Sequence, residues 1–497
     1  MWQKHSFSEE QKTEIMLNIS KKLFTAWNDA GLLYCHWKSN EHLLPGLNGE
    51  TDLDVLLSKD DKVMGENILR ALDFLKCKSQ YGSRYPSVDD WIGFDQITGS
   101  LIHLHLHFEL VTGHKGMKEY SLPWSELALR SRMMNEDTGV YIMEPNLEMV
   151  TLYTRIGLKV DFKDVIRCHT RKFKFPENVQ REIVWLKERV DMHKVRQMLD
   201  TYYINKAETV FNIMLNERIE AGDYLKLRKI TEFVFKKTRR IKSFIRLREF
   251  WHYVYQKYIQ RLILKFKPII VKKVPITGKG LTISFLGQDG AGKTTVTNDI
   301  LKWLSWKLDA KYFYLGCGEN YFSIGKKLLN VLPHGGIFKP LRAVIALNDT
   351  IKQSKRTNRL LKQGERLSSK GSIVIFDRFP QTQYAGINDG PKIRTEFLPY
   401  MKGILKPICV DLAKKEEKRI ASAASHEPDL VFKLVLPPEE SIRRKPKESF
   451  EAVLRKHEII KTLQFKTSVV NVVDATMPYD KEIVLIKNII WQQIQKS

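Results

Sequence analysis

The segment Gly287-Gln-Asp-Gly-Ala-Gly-Lys-Thr-Thr295 carries residue types that bind phosphate. Gly287, Gly290 and Gly292 let successive backbone N–H groups turn inward around an anion. Lys293 brings a positive charge to the β- and γ-oxygens, and the Thr294 hydroxyl, with Thr295 beside it, can ligate Mg²⁺. Such a loop needs a strand before it and a helix after it. Leu281-Thr-Ile-Ser-Phe-Leu286 is a short apolar run, and a helical pattern follows the loop through Trp306, so both are present.

A second acid must approach the metal from a neighbouring strand. In Ser372-Ile-Val-Ile-Phe-Asp377 four apolar residues predict a buried strand, with Asp377 at its carboxyl end, where ligands bind in open α/β sheets. Arg378 follows directly, and a planar guanidinium suits charge on a moving phosphoryl group better than an ammonium does. The plainer reading of this pair is a strand-end salt bridge.

These residues together resemble the thymidylate kinase-like branch of the P-loop nucleoside monophosphate kinases. The likeness spans roughly 281–497 and also rests on Pro428-Asp-Leu430, Pro437-Pro-Glu439 and Val473-Asp-Ala475. It implies ATP as donor, Mg²⁺ at Thr294 and Asp377, and catalytic roles for Lys293, Asp377 and Arg378. It further implies that Asp289 faces the acceptor's sugar hydroxyl and that Arg356 holds the acceptor phosphate. A basic lid would be Arg443 and Arg444, with Lys445 and Lys447 as alternatives. One departure bears on the acceptor. Thymidylate kinases carry an Arg-Glu-Pro-Gly-Gly-type segment after the second strand, whereas this chain has Tyr314-Leu-Gly-Cys-Gly-Glu-Asn320, so another nucleotide, a nucleoside or a sugar is expected.

A second constellation lies near the amino terminus. Thr51-Asp-Leu-Asp-Val-Leu-Leu57 puts Asp52 and Asp54 on one face of a strand, where two carboxylates can share metal ions and orient a nucleoside triphosphate. With Ser39 in His36-Trp-Lys-Ser-Asn40 upstream, this resembles the nucleotidyltransferase superfamily over about 30–170. That resemblance implies a third metal-binding acid on an adjacent strand. The matching run Leu101-Ile-His-Leu-His-Leu-His-Phe-Glu-Leu110 has His105 there, on one face with His103, His107 and Glu109. Imidazole suits Mn²⁺ or Zn²⁺ better than Mg²⁺. An active transferase, a nucleotide-binding or degenerate module, and a half-buried strand whose two aspartates are only surface acids are three open readings.

The elements that must position these residues divide the 497-residue chain into three regions. Residues 1–145 read as an α+β nucleotidyltransferase-like domain, 146–275 as a basic, mostly helical connector, and 276–497 as a thymidylate kinase-like domain with a parallel sheet. The fold class is α/β. The net charge is +25, and 226–273 alone holds 16 Lys or Arg against Glu232 and Glu249, 16 − 2 = +14. Apolar residues from Ile230 to Leu262 recur at helical spacing, with Lys236, Lys237, Arg239 and Arg240 among the intervening basic residues. Such a helix can pack against a neighbouring domain, lie on an anionic membrane or grip nucleic acid.

The five cysteines are dispersed without a C-x-x-C pair, which points away from a disulfide framework and toward a reducing compartment. No signal-like or membrane-spanning run is read, so the expectation is a cytoplasmic protein, with a membrane-peripheral one as variant. The expected function is ATP-dependent phosphorylation of a small acceptor, fused to a nucleotidyltransferase-like domain, in surface polysaccharide precursor synthesis. The alternative is an ATP-gated sensor or defence protein that binds nucleic acid or membrane through its basic helix.

Overall fold

A computed structural model describes residues 16–497 apart from 80–84, 86, 115–116, 171–172, 241–250, 252–272, 277, 317–330, 332–338, 404 and 447–448. The chain divides into two compact units, Met1–Val271 and Lys272–Ser497.

In the first unit, α1 (Asn18–Asp29) buries Leu23, Phe24 and Trp27 at helical spacing. Then come β1 (Tyr34–His36), α2 (Leu43–Leu47), β2 (Asp52–Leu57), α3 (Lys62–Ala71), β3 (Leu75–Ser79), β4 (Val88–Phe94) and β5 (Leu101–His107). A two-stranded ribbon, β6 (Val111–Thr112) and β7 (Tyr120–Ser121), precedes α4 (Ser125–Arg130), β8 (Met133–Asn135) and β9 (Val140–Ile142). Within this unit the main sheet runs β3-β4-β5-β2-β1-β9-β8. β2 lies between antiparallel β1 and parallel β5, and the register sets Asp52 beside His103 and Asp54 beside His105. On the far side of β5, antiparallel β4 sets Asp90 opposite His105. Alternation along each strand therefore brings residues of three strands onto one face.

Helix α5 (Pro145–Lys159) starts where the Glu144 carboxylate accepts the Leu147 N–H at 2.9 Å and Pro145 occupies the first turn. It is buried from Asn146 to Leu158 because α6 (Phe162–Cys168), α7 (Glu177–Lys187), α8 (Met192–Tyr203), α9 (Ala207–Leu215) and α10 (Ala221–Val234) follow it in one bundle. Gly157 makes the α5–α10 crossing possible, since a Cβ there would lie 2.5 Å from Thr231 Oγ1. Trp37 and Leu56 from the sheet share a core with Leu147, Tyr153, Leu199 and Leu227. The described helices of 146–275 thus belong to the first unit.

The basic helix expected from Ile230 onward does not continue through the described residues. It ends at Val234, and a 3₁₀ turn, Phe235–Thr238, follows. Phe235 is the cause: it is buried against Trp124 and Tyr203, which turns the chain inward. Arg240 then donates to Ser87 Oγ at 3.2 Å and pairs with Glu109 at 3.1 Å, while Arg239 lies over the Tyr120 ring. Lys236 and Lys237 are exposed. The remainder of the proposed helix, apart from Trp251, lies outside the described residues.

In the second unit, strands alternate with helices: β10 (Thr282–Gly287), α11 (Lys293–Leu304), β11 (Ala310–Tyr314), α12 (Lys339–Ser368), β12 (Ile373–Asp377), α13 (Leu405–Ala424), β13 (Leu430–Val435), α14 (Pro438–Arg444), α15 (Phe450–Thr462), β14 (Val469–Asp474) and α16 (Tyr479–Lys496). The five strands are parallel in the order β11-β12-β10-β13-β14. Central strands β10, β12 and β13 read as nearly continuous apolar runs because both faces are covered. Asp429, just before β13, accepts from Thr282 N and Oγ1 at 2.8 and 2.6 Å, tying the starts of β10 and β13 together. Among the described residues no helix is long and apolar enough to cross a membrane.

Candidate functional site

At the carboxyl edge of the second unit's sheet, β10 runs into the glycine loop and the loop into α11. Gly290 and Gly292 have φ of 86° and 79°, left-handed values that glycine adopts without a Cβ clash, and they turn the loop around the amino end of α11. Lys293 Nζ donates to the carbonyls of Gly287 and Gln288, both at 2.8 Å. Burial first, and the Arg378 guanidinium second, push its ammonium down to about 8. A cation held at such cost by its own loop fits an incoming phosphate, which would restore its charge. The loop's outer side is fixed by α14: Ser441 Oγ donates to Asp289 O at 2.5 Å and Arg444 Nη1 to Gly290 O at 3.3 Å.

Asp377 is buried at the end of β12 and accepts from the Tyr312 hydroxyl at 2.9 Å. Its carboxylate and the Thr294 hydroxyl are hard oxygen donors of the kind Mg²⁺ takes. Arg378 has φ of 73°, an uncommon value for a side chain with a Cβ, and its guanidinium lies 3.9 Å from Asp289 and 3.8 Å from Asp389. Gly316 explains part of this placement, because a Cβ there would meet Arg378 Cδ at 2.5 Å. Asp289 is paired as well with Lys456 Nζ of α15 at 2.8 Å. Asp289, Arg378, Asp389, Lys392 and Lys456 line one cavity of about 340 Å³.

The structure therefore brings Gly287, Asp289 and Arg378 to one cavity, with Lys293 at its loop and Asp377 next to Arg378. Arg444 reaches the loop, whereas Arg443 is exposed and pairs with Glu440 on its own helix. Thr294 and Thr295 are exposed on the first turn of α11. Arg356 sits on α12 about a third of a turn away from Thr350, Gln353, Ser354 and Thr357, which face a neighbouring small cavity, and it lines neither space. Lys447 lies outside the described residues, as do four of the seven residues of the departing segment. Asp389, Lys392 and Lys456 were not singled out from the sequence, since each comes from a loop or helix whose approach only the fold defines.

In the first unit, Asp52 and Asp54 meet the histidine strand. His103 Nδ1 lies 2.6 Å from Asp52 and its Nε2 3.3 Å from Asp90. His105 lies 3.3 Å from Asp54 and 3.2 Å from Asp90. His107 Nε2 lies 3.1 Å from Asp54, and burial lowers this imidazole to about 3. Asp52, His103 and His105 bring ligand atoms within 4.8 Å of one another, as do Asp54, His105 and His107. These mixed nitrogen and oxygen donors fit Mn²⁺ or Zn²⁺ better than Mg²⁺. Lys38, however, is already paired with Asp54 Oδ2. Burial would raise the Asp54 carboxyl, but Lys38 and the two imidazoles hold it well below the usual range. Glu109 lies two residues beyond the end of β5 and pairs with Lys59 and Arg240.

Ser39 adopts a left-handed φ of 57° and turns the chain from β1 toward α2. Glu148 of α5 accepts from Asn40 N at 2.8 Å and Asn40 Nδ2 at 2.7 Å, fastening that turn, and burial raises its carboxyl to about 8. Between this turn and α5 lies a cavity of about 430 Å³ whose wall includes Trp37, Lys38, Asp54, Lys118, Arg155 and Lys159. The nearby Arg155 guanidinium, before all else, holds the Lys159 ammonium well below its ordinary range. Asp90 and the α5 cations were not anticipated from sequence; the Asp89-Asp90 pair ahead of an apolar run was the only signal.

No family model matches the chain. Over 218 residues, 40% of this chain and 82% of the relative, it is 26% identical to the uncharacterized ATP-binding protein YghR of Escherichia coli (strain K12). Over 183 residues, 34% of this chain and 73% of the relative, it is 30% identical to a thymidylate kinase of Prochlorococcus marinus (strain MIT 9312). A solved structure of Mycoplasma mycoides deoxyadenosine kinase with bound dATP overlaps 42% of this chain at 20% identity and a TM-score of 0.28. Over the stretch shared with the Prochlorococcus enzyme, the chain belongs to the thymidylate kinase family.

Proposed function

We propose that the second unit is an ATP-dependent phosphotransferase acting on a small nucleotide, nucleoside or sugar. The observation that carries this reading is the convergence of Lys293, Arg378 and Asp289 on one loop and cavity beside buried Asp377. An acceptor oxygen attacks the γ-phosphorus, its proton passes to a base or water, and the bond to the β–γ bridging oxygen breaks, leaving ADP. Mg²⁺ held by Thr294 and Asp377 would neutralise β- and γ-oxygens when bound. Lys293 and the loop N–H groups hold the donor phosphates. Arg378, oriented by Asp289 and Asp389, faces the transferred group, and Asp289 offers a carboxylate to an acceptor hydroxyl.

Transfer of label from γ-labelled ATP to a panel of nucleotides, nucleosides and sugars tests this. The expected result is one labelled acceptor class, lost in Lys293→Ala. Equal labelling by wild type and Lys293→Ala would overturn it.

A second reading concerns the first unit. β1, β2 and β5, with the Ser39 turn ahead of Asp52 and Asp54, support a nucleotidyltransferase-like core, with Mn²⁺ as the cation for Asp52, Asp54 and His105. The two chemistries together suit the activation of a sugar for surface polysaccharide. The competing role, ATP-gated binding of nucleic acid or membrane, is favoured among the described residues of the basic segment by exposed Lys236 and Lys237.

A further inference from the structure

The cavity between the Ser39 turn and α5 is walled by cations that outnumber the anions available to neutralise them. Lys38, Lys118, Arg155 and Lys159 line it, against Asp54, Asp161 and Asp164. All three carboxylates are already committed. Asp54 is held by Lys38, His105 and His107. Asp161 and Asp164 cap α6 reciprocally, each accepting the other's backbone N–H at 2.9 and 3.2 Å.

Arg155 is the second, independent observation. It is 5% exposed, and among the described residues its Nε and Nη1 find no hydrogen-bond acceptor, the Glu182 carboxylate standing 3.6 Å away. Buried guanidinium N–H groups without acceptors are costly unless something else accepts from them. The Trp37 ring, 5.6 Å from the guanidinium, is one wall of the same space.

We propose that this cavity binds the phosphoanhydride group of a small molecule, with Arg155 and Lys159 holding its oxygens and Lys38, rather than a divalent metal, serving as the cation between that anion and Asp54. This rests on the nucleotidyltransferase-like reading of the first unit but departs from it in assigning binding without metal. Lys38 Nζ occupies Asp54 Oδ2, the imidazoles occupy Oδ1, and Asp52 does not line the cavity. A metal at Asp54 would have to displace an ammonium already paired with a buried carboxylate.

Calorimetric titration of pyrophosphate, and separately of UTP, into the full chain carrying Lys293→Ala, which silences the second unit's loop, tests this in EDTA and in Mn²⁺. Binding in EDTA, weakened at least about tenfold by adding Lys159→Ala, is expected. The two probes distinguish a free diphosphate from a nucleotide as its source. Lys38→Ala should lose binding in EDTA and regain it with Mn²⁺, a rescue that mere loss of packing would not produce. Binding only in Mn²⁺ without the Lys38 change would overturn the proposal and leave the metal-dependent transferase standing. Binding in neither condition would overturn both, and binding indifferent to Lys159→Ala would overturn the site assignment. Lys159 is exposed, so its removal leaves the fold intact, as a melting curve would check.

Discussion

Lys293 is poised so that its protonation and phosphate binding are linked. With an ammonium lowered to about 8 by burial and by Arg378, the free site begins to lose its charge above that pH, whereas a bound triphosphate returns the group toward its ordinary range. The sign follows: binding takes up a proton above pH 8, and ATP affinity is flat below about 8 and falls by up to about tenfold per unit above it. Titrations in two buffers of different ionisation enthalpy should detect that proton, and Lys293→Ala should remove both the proton and ATP turnover. A pH-independent affinity from 7 to 9.5 would refute the linkage. Arg378→Lys keeps the charge but loses the fork that spans Asp289 and Asp389, so kcat should fall by about 10²-fold with ATP affinity nearly kept. Equal losses in both would assign Arg378 to structure. The loop was legible from residue types alone, because glycines, lysine and threonine at fixed offsets need only local backbone to meet. Lys456, 167 residues beyond Asp289, was not, because nothing local to either residue encodes their contact.

At the scale of elements, local pattern and packing competed, and packing decided where the helices stopped. The apolar spacing beyond Ile230 has helical period, yet α10 ends at Val234 because Phe235 enters the first unit's core beside Trp124 and Tyr203. Arg239 and Arg240 are consequently spent on Tyr120, Ser87 and Glu109. Reversing them would test stability rather than surface attraction, so the informative variant is Lys236→Glu with Lys237→Glu, both exposed. It should weaken any binding to anionic vesicles by about 1 kcal/mol per reversed residue or more, with the loss screened by salt, while leaving the melting temperature and ATP turnover unchanged. Unchanged vesicle binding would remove these lysines from any membrane role.

For the whole molecule, each unit has its own buried cores: Trp27, Leu53 and Leu104 in one cluster of the first, Val374, Phe376 and Val431 in one of the second. Two thermal transitions are expected in calorimetry. ATP with Mg²⁺ at about 100 times its Kd should stabilise one of them by about 2.7 kcal/mol, and Lys293→Ala should cancel that shift without moving the other transition. A shift of both transitions together would show that the units unfold as one.

The sequence by itself determined what depends on short range: the strand, glycine loop and helix order around Lys293, the buried strand ending in Asp377, and the alternation that puts Asp52 with Asp54. Residues two apart on a strand share a face whatever the rest of the chain does. Only the tertiary structure decided which partners those groups meet. Parallel β2 and β5 place His103 and His105 beside the two aspartates, antiparallel β4 adds Asp90 from the other side, and Lys38 pairs with Asp54 Oδ2. It likewise left Arg356 off the face that looks into the neighbouring cavity and set Arg155, whose Nε and Nη1 have no acceptor among the described residues, against one. The reason is physical: a side chain's type states what it can bind, but register and helix docking, fixed by burying distant apolar residues together, state what comes within reach.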